Sequence, residues 1–374
     1  MSRPRQPWFT IHYNGRDITE DLQQWPTEVT YIDKRHGESD EISLKLHNTT
    51  GQWLSDWAPK DGDKIEVWYG YIDQLAPAGK FAVDEWSASG DSSGDTIEIK
   101  GLAAPKTSAL RTKKSKAYEN QSLSDIVDKV ASEHGLTVEG DIEDIKFERV
   151  TQNGERDLEF LKRMADDYGH YFSVKGDKLV FTSRDGLRSR EPVATVNRTE
   201  MTGNELISYE LSTQDHLAAQ KAEVSYAHPR RKALVGNKAS STDDLGVVTS
   251  SGDIVKLNVR VENSDQAKRV AKSRLDAKNA PKVSGSLTMV GNPVLVAGAV
   301  IELKEFGVFD SRYLITSSQH TSSRTGYQTK LSIERATAKN IKDGKNARKR
   351  ATKRGNAVDD LGVIDGEGSI KGGK

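Results

Sequence analysis

The sequence predicts a mainly β chain of the α+β class: two β-barrel or sandwich domains, one near each end, with an α+β insert between them. Three observations carry that prediction. Short runs alternate apolar and polar residues with a period of two between Gly, Asp and Asn turns, the pattern of strands with one buried and one wet face. A three-strand pattern occurs twice, in the same order and with the same internal spacing. Between the two occurrences the period changes to that of amphipathic helices. The expected divisions are residues 1–109 for the first β domain, 110–190 for the insert, 191–336 for the second β domain and 337–374 for a charged tail.

The repeat is clearest in its second copy. There Tyr327, Thr329, Leu331 and Ile333 alternate with a wet face of Gln328, Lys330, Ser332 and Glu334. Two strands precede it, one opening at Gly298-Ala-Val-Ile301-Glu302-Leu303 and one from Arg312 to Thr316. In the first copy Gly62-Asp-Lys-Ile65-Glu66-Val67 has the same order and is followed by Phe81 to Val83 and Thr96 to Lys100. The step from Val83 to Ile99 equals the step from Ile315 to Leu331. Glycine followed by aliphatics is common in sheets, but order and spacing agreeing together argue for one module used twice.

Taken in order, Trp8 to Tyr13 is a strand ended by Asn14-Gly15, a hairpin signal. Strands Val29 to Asp33 and Glu41 to His47 follow, then a short helical turn over Gln52 to Trp57, and the domain ends near Ala104-Pro105. Leu110 to Lys116 reads as a basic, solvated connector. Ser122 is placed to cap a helix that carries Leu123, Ile126, Val127, Val130 and Ala131 on one side, with Gly135 just past its end. Asp157 starts a second helix whose Leu158, Leu161, Met164, Ala165 and Tyr168 form an apolar stripe stopped by Gly169, with Lys162 on the opposite face. A hairpin of Tyr171 to Val174 and Leu179 to Thr182 closes the insert.

Strands Leu206 to Leu211 and Ala222 to Tyr226 come next, then a polar loop from His228 to Gly252 with Arg230, Arg231 and Lys232 clustered in it. Val255, Leu257, Val259 and Val261 alternate as a strand. Ser264 is expected to cap a helix with Ala267, Val270, Ala271 and Leu275 on one side, ended by Pro281 ahead of the strand Val283 to Val290. Beyond Ala336 a basic run from Lys339 to Arg354 and a Gly/Asp-rich end hold few large apolar residues. That composition predicts a tail that is disordered in the free chain and orders on an acidic partner surface.

Composition narrows the function. Lysine plus arginine equal aspartate plus glutamate at 55 each, so the formal net charge is zero and gives no global case for nucleic acid or anionic membrane. The absence of cysteine excludes disulfides, thiolate metal sites and thiol nucleophiles. No window approaches a membrane span. There is no phosphate-binding glycine loop, no nucleophile elbow and no helical His-x-x-x-His pair, so no catalytic, cofactor-binding or metal residue is assigned. Carboxylates are abundant, and composition alone leaves a paired-carboxylate glycosidase open; most of them, however, fall on the polar faces of strands.

Three stretches carry a resemblance. Gln152-Asn153-Gly154-Glu155-Arg156-Asp157-Leu158-Glu159-Phe160-Leu161, running through Ala165 to Phe172, resembles the phage late control D family, and Tyr118 to Val127 resembles its preceding segment. Gly291-Asn292-Pro293, Arg312-Tyr313-Leu314-Ile315 and Gly326-Tyr327 resemble its C-terminal barrel, and the chain is similar too to the hub half of type VI secretion spike proteins. The resemblance implies tail-tube-like β domains and a non-enzymatic baseplate hub of a contractile injection machine, either a phage tail or a phage-tail-like bacteriocin. It implies a homotrimer that joins a hexameric tail tube, or its initiator ring, to a trimeric central spike among other baseplate subunits. Neither a membrane span nor specific nucleic-acid binding belongs to that picture. Synthesis and assembly would take place in the bacterial host cytoplasm. The alternatives are a peptidoglycan-binding module, because Gln121 to Leu136 also looks like the first helix of a lysin-motif domain, and a hub with accessory hydrolase activity.

Overall fold

The computed structural model describes residues 5–336 apart from 24–26, 38, 93, 104–111, 202–204, 215–218, 229–232, 241–252 and 324–325. The charged tail, the Arg230–Lys232 cluster, Ala104-Pro105 and the first residues of the basic connector lie outside the described residues.

The first β module comprises β1 (Pro7–Tyr13), β2 (Arg16–Asp17), helix α1 (Thr19–Gln23), β3 (Thr27–Lys34), β4 (Glu41–His47), β5 (Lys64–Tyr71), β6 (Gln74–Asp91) and β7 (Gly94–Leu102). Asn14 and Gly15 both take positive φ, as a two-residue hairpin between β1 and β2 requires. The strands run in the order β3-β4-β7-β6-β5-β1-β2, each antiparallel to its neighbour. Their inward alternation builds one core from Ile11, Ile42, Leu44, Ile65, Val67, Ile97 and Ile99.

The insert holds β8 (Lys114–Ser122), α2 (Leu123–Glu133), β9 (Thr137–Glu139), β10 (Lys146–Glu155), α3 (Asp157–Tyr168), β11 (His170–Lys175), β12 (Lys178–Ser183) and α4 (Arg184–Arg188). Ser122 caps α2 in a reciprocal capping box with Asp125. Gly169 ends α3 in the left-handed conformation. The expected solvated connector is in part a strand: Lys114 to Lys116 open β8, and their ammonium groups pair with Asp157 and Glu133. The apolar face of α3 is also wider than predicted, because Phe160 is fully buried and stacks on Tyr118 at 5.3 Å. Lys162 is not free in solvent; its side chain lies across Gly37, where a Cβ would clash with it.

The remainder comprises β13 (Ala194–Asn197), β14 (Leu206–Thr213), β15 (Lys221–His228), β16 (Ala233–Ser240), β17 (Ile254–Asn258), α5 (Ser264–Asn279), β18 (Val283–Val290), β19 (Val300–Lys304), β20 (Ser311–Ser323) and β21 (Gly326–Arg335). Part of the expected loop from His228 to Gly252 is the strand β16, which pairs with β15 while β17 lies parallel on its other side. Asn263 rather than Ser264 caps α5, its amide oxygen accepting from the Asp265 and Gln266 N–H groups. Ala219, Ala222, Val224, Val261 and the apolar face of α5 share a core with the insert's Phe160, Leu161, Met164 and Phe181. Residues 219–224 and 255–275, which the sequence groups with the second β domain, therefore pack with the insert.

The duplication is visible in the register. Ile65 faces Phe81 in the first copy, as Ile301 faces Tyr313 in the second. Val83, Trp86 and Asp91 face Gly101, Ile99 and Gly94, while Ile315, Ser318 and Ser323 face Ile333, Leu331 and Gly326. Both second strands carry a bulge at the same step, between Val83 and Glu85 and between Ile315 and Ser317. The correspondence extends outward: β7 pairs with β4 and β4 with β3, just as β21 pairs with β18 and β18 with β14. The copies diverge at the far side, where β1 is antiparallel to β5 but β13 is parallel to β19. One pairing fuses both modules into a single 13-stranded sheet, the antiparallel contact of β20 with β3.

Candidate assembly site

At that seam Val29, Tyr31 and Asp33 of β3 lie opposite Ser322, His320 and Ser318 of β20, and all six are buried. The His320 ring is 4.7 Å from the Tyr69 ring and is stacked over Tyr31 at 6.1 Å. Its Nδ1 meets the Tyr327 hydroxyl at 2.8 Å, and its Nε2 lies 3.2 Å from Ser318 Oγ. Burial lowers the imidazole pKa to about 4, so His320 is neutral at pH 7 and serves as a hydrogen-bonded filler between the modules.

An ionic cluster beside the seam ties in the insert. Lys175 of β11 pairs with Asp33 and, at 3.6 Å, with Asp40, which also accepts from the Tyr31 hydroxyl at 3.0 Å and the Lys34 N–H at 2.9 Å. Burial raises the Asp40 carboxyl to about 6 even though Lys175 pulls it down. Glu334 of β21 accepts from Arg35 at 3.0 Å, Tyr171 at 3.1 Å and Arg188 at 3.2 Å, with the Arg35 guanidinium 3.9 Å above the Tyr171 ring. Burial pushes the Glu334 carboxyl up, but the two guanidiniums outweigh it and hold the group below its ordinary value. The Phe172 N–H donates to His36 Nδ1, which leaves Nε2 to donate to Asp166 at 3.0 Å, and Arg184 holds the same carboxylate at 2.8 Å. The β3–β4 connection, the insert and β21 are thus fastened together by directional contacts, which fix orientation more than they add stability.

The sequence missed this cluster; Glu334 lies on the same face of β21 as Gln328, Lys330 and Ser332, as the alternation predicts, but there it is buried because Arg35, Tyr171 and Arg188 cover it. A signal was present in β3, where Asp33 continues the inward series Thr27, Val29 and Tyr31 and is therefore an inward-pointing acid. Two of the motif stretches sit in the same region. The Tyr327 ring lies where a Cβ on Gly291 would stand, and the Gly291 carbonyl accepts from Tyr71 of the first module at 2.8 Å. Gln152 is fully buried and donates to Asp157, which also takes Lys114 and His134.

Each module also offers a strand edge that no described strand covers. From Glu85 to Gly90, β6 pairs with β7 alone, and β14 pairs with β18 alone. Trp86 is 38% exposed, Ile207 45% and Tyr209 39%. A groove of about 360 Å³ crosses the nearby strands, lined by Ser212, Ser284, Ser286, Thr316 and Ile333 among others. Among the described residues no group of three or more His, Asp or Glu residues could hold a metal ion, and no helix is long and apolar enough to cross a membrane.

The family described as "Phage tail baseplate hub (GPD)" matches residues 59–326, a span that covers the first copy's three-strand core, the insert, and the second copy up to the start of β21. The chain belongs to that family. The probable baseplate hub protein of Escherichia phage 186 is 23% identical over 370 residues, covering 88% of this chain and 92% of its own. The hub fold recurs in the tail protein of Neisseria meningitidis MC58, at a TM-score of 0.67 and 13% identity over 88% of this chain and 96% of that one. It recurs in the E. coli c3393 protein, a component of the type VI secretion system, at a TM-score of 0.54 and 14% identity over 88% of this chain and 77% of that one. The expected membership among tail hubs is thereby met, the likeness to a type VI secretion component is one of fold, and the mainly β architecture is as expected.

Proposed function

We propose that this baseplate hub protein is a homotrimeric, non-enzymatic adaptor that joins a sixfold tail tube, or the ring that initiates it, to a threefold central spike. The observation that carries the reading is the duplicated module with its matching registers and bulges. Two equivalent modules per chain, repeated three times about an axis, present six quasi-equivalent surfaces to a hexameric ring while keeping threefold symmetry toward a spike. The buried ionic junction supports a mechanical role, because it holds both modules and the insert in one fixed relation. The same reading makes the particle contractile, a phage tail or a related bacteriocin, assembled in the host cytoplasm with other baseplate subunits. It takes residues 1–109 and 191–336 as the tube-like domains, with 219–224 and 255–275 packed on the insert, 110–190 as the insert and 337–374 as a tail whose basic run docks on an acidic neighbour.

Light scattering tests the reading. Alone or with its spike protein, the full chain is expected at three times its own mass, burying well over ~2,000 Å² as obligate interfaces do. A strictly monomeric species at high micromolar concentration, with no threefold assembly in the tail particle, overturns it. Truncation after Ala336 is expected to leave the trimer intact and weaken attachment to the partner, more at low salt than at high.

A further inference from the structure

We propose that successive copies of this chain join through the exposed half of β6 in one copy and β14 in the next, in the register that β20 and β3 use within the chain. The proposal rests on the trimeric reading and adds to it the strands, the faces and the register.

The argument starts from equivalence. Adding 232 to a residue number carries the β6–β7 pairings onto the β20–β21 pairings throughout: Trp86 opposite Ile99 becomes Ser318 opposite Leu331, and Asp91 opposite Gly94 becomes Ser323 opposite Gly326. Ser318, His320 and Ser322 therefore correspond to Trp86, Ala88 and Gly90. On the other side Ile42 faces Gly101 and Tyr31, while Gly285 faces Ile333 and Leu211. Because Gly101 corresponds to Ile333, Tyr31 corresponds to Leu211; by the same route Val29 corresponds to Tyr209, and extending the register two residues past Tyr31 makes Thr213 the counterpart of Asp33.

Within the chain the second member of one set already pairs with the first member of the other, β20 with β3. The complementary pair, β6 and β14, is what remains uncovered. Its exposure shows what is missing. His320 is 1% exposed and Val29 1%, whereas Ala88 is exposed and Tyr209, the counterpart of Val29, is 39% exposed. Residues 206–213 contain no proline or lysine, and such an edge with accessible aromatic and aliphatic side chains is a template for another strand.

Transferring the internal register places Trp86 opposite Thr213, Ala88 opposite Leu211 and Gly90 opposite Tyr209 of the neighbour. In that register Glu85 falls opposite Gln214, Ser89 opposite Glu210 and Asp91 opposite Ser208, so no acid faces another. A one-residue slip would set Glu85 against Thr213 and Trp86 against Ser212, leaving Leu211 and Tyr209 on the face opposite Trp86, whereas their counterparts Tyr31 and Val29 share the face of Ser318. Each chain offers one of each edge, so the contact is head to tail and closes with the ring.

The chain has no cysteine, which makes the test clean. Directly opposed residues in an antiparallel pair stand about 4.5–5.5 Å apart at Cα, inside the range a disulfide spans. The double variant Ala88→Cys/Leu211→Cys, oxidised at assembling concentration, is expected to give covalent species of two and three chains and none larger. Ser87→Cys/Leu211→Cys, whose side chains point to opposite faces, is expected to give at least tenfold less. A trimer by light scattering in which both variants cross-link equally or not at all overturns the seam and leaves the trimer standing; a monomer under every condition overturns both. As a second variant, Ala88→Asp is expected to weaken assembly at least tenfold, and adding Leu211→Lys to restore part of it. Unchanged assembly of Ala88→Asp, or no rescue, overturns the proposal.

Discussion

The two β modules share the register and bulge with which their second strands pair their third, yet those second strands live in different surroundings. In β20 the half beyond the bulge is covered by β3 and carries Ser318, His320 and Ser322, all buried; in β6 the same half carries Trp86, Ala88 and Gly90, all exposed. Backbone register was kept while side chains followed what each strand touches. The connections diverged in the same way. Residues 35–40 join β3 to β4 and hold the insert with Arg35, His36 and Asp40, whereas residues 214–282 join β14 to β18 and contain β15, β17 and α5. A duplicated sheet tolerates such additions at its strand ends because they leave the shared ladders untouched.

Four measurements break or sharpen that comparison. The largest effect is expected from Glu334→Ala, which leaves Arg35 and Arg188 without their shared carboxylate and should cost ~3–5 kcal/mol by denaturant unfolding. Leu102, at the corresponding place in the first copy, is only half-buried and faces no such cluster, so Leu102→Ala should cost clearly less. An equal effect at both positions would mean that the ionic junction does not distinguish the modules.

Next, Ile99→Ala and Leu331→Ala remove equivalent and fully buried side chains, and each should cost ~2–5 kcal/mol. The two losses should agree within about 1 kcal/mol if the cores are packed alike, and a wider gap marks the module whose core collapses around the cavity. Leu161→Ala in the insert belongs to the same range, since Leu161 is equally buried.

The third expectation concerns pH and applies to the second copy alone, because His320 stands where the first has Ala88. Burial lowers the His320 pKa to about 4, so as pH falls the unfolded chain, titrating near the ordinary value of 6.5, takes up its proton first. The stability carried by neutral His320 is full above about pH 6.5 and is lost as pH falls toward 4, roughly 2 kcal/mol of it between pH 7 and 5. Asp40 works the other way. Its raised carboxyl, at about 6, binds a proton more tightly in the fold, so its contribution is full below its unfolded value and fades as pH rises through 6. Comparing the native chain with His320→Gln isolates the histidine, and the variant should show a flatter stability between pH 7 and 5.

The smallest effect is expected at the hydroxyl pair that spans the seam, Thr30 with Thr321 at 3.3 Å. Thr321→Val should cost about 1 kcal/mol. Ser89, its counterpart on the uncovered strand, is exposed, and Ser89→Ala in the monomeric state should stay within about 0.5 kcal/mol.

Several elements were legible because their signals are local. The Asn14-Gly15 hairpin, the Ser122 cap and the glycine stop at Gly169 are properties of a few adjacent residues, and each stands where it was expected. The cap of α5 slipped by one residue because Asn263 and Ser264 are both good caps and only the backbone conformation selects between them. The strand β16 was hidden in a polar stretch, since its pairing with β15 is set by the partner and not by apolar alternation.

The sequence by itself determined that this is a mainly β chain built on a repeated module, because strand period and repeat spacing are written along one dimension. It also held the hub family's motifs without revealing their purpose; the need for glycine at 291 is visible only once the Tyr327 ring stands against it. Which strand of one module would meet which strand of the other was decided by the tertiary structure alone. The contact of β20 with β3 joins residues almost three hundred positions apart through backbone groups that every residue carries, so no side-chain pattern announces it. The same holds for the charges gathered around it: Asp33, Lys175 and Glu334 are ordinary surface residue types until folding places them together away from water, where each constrains the others.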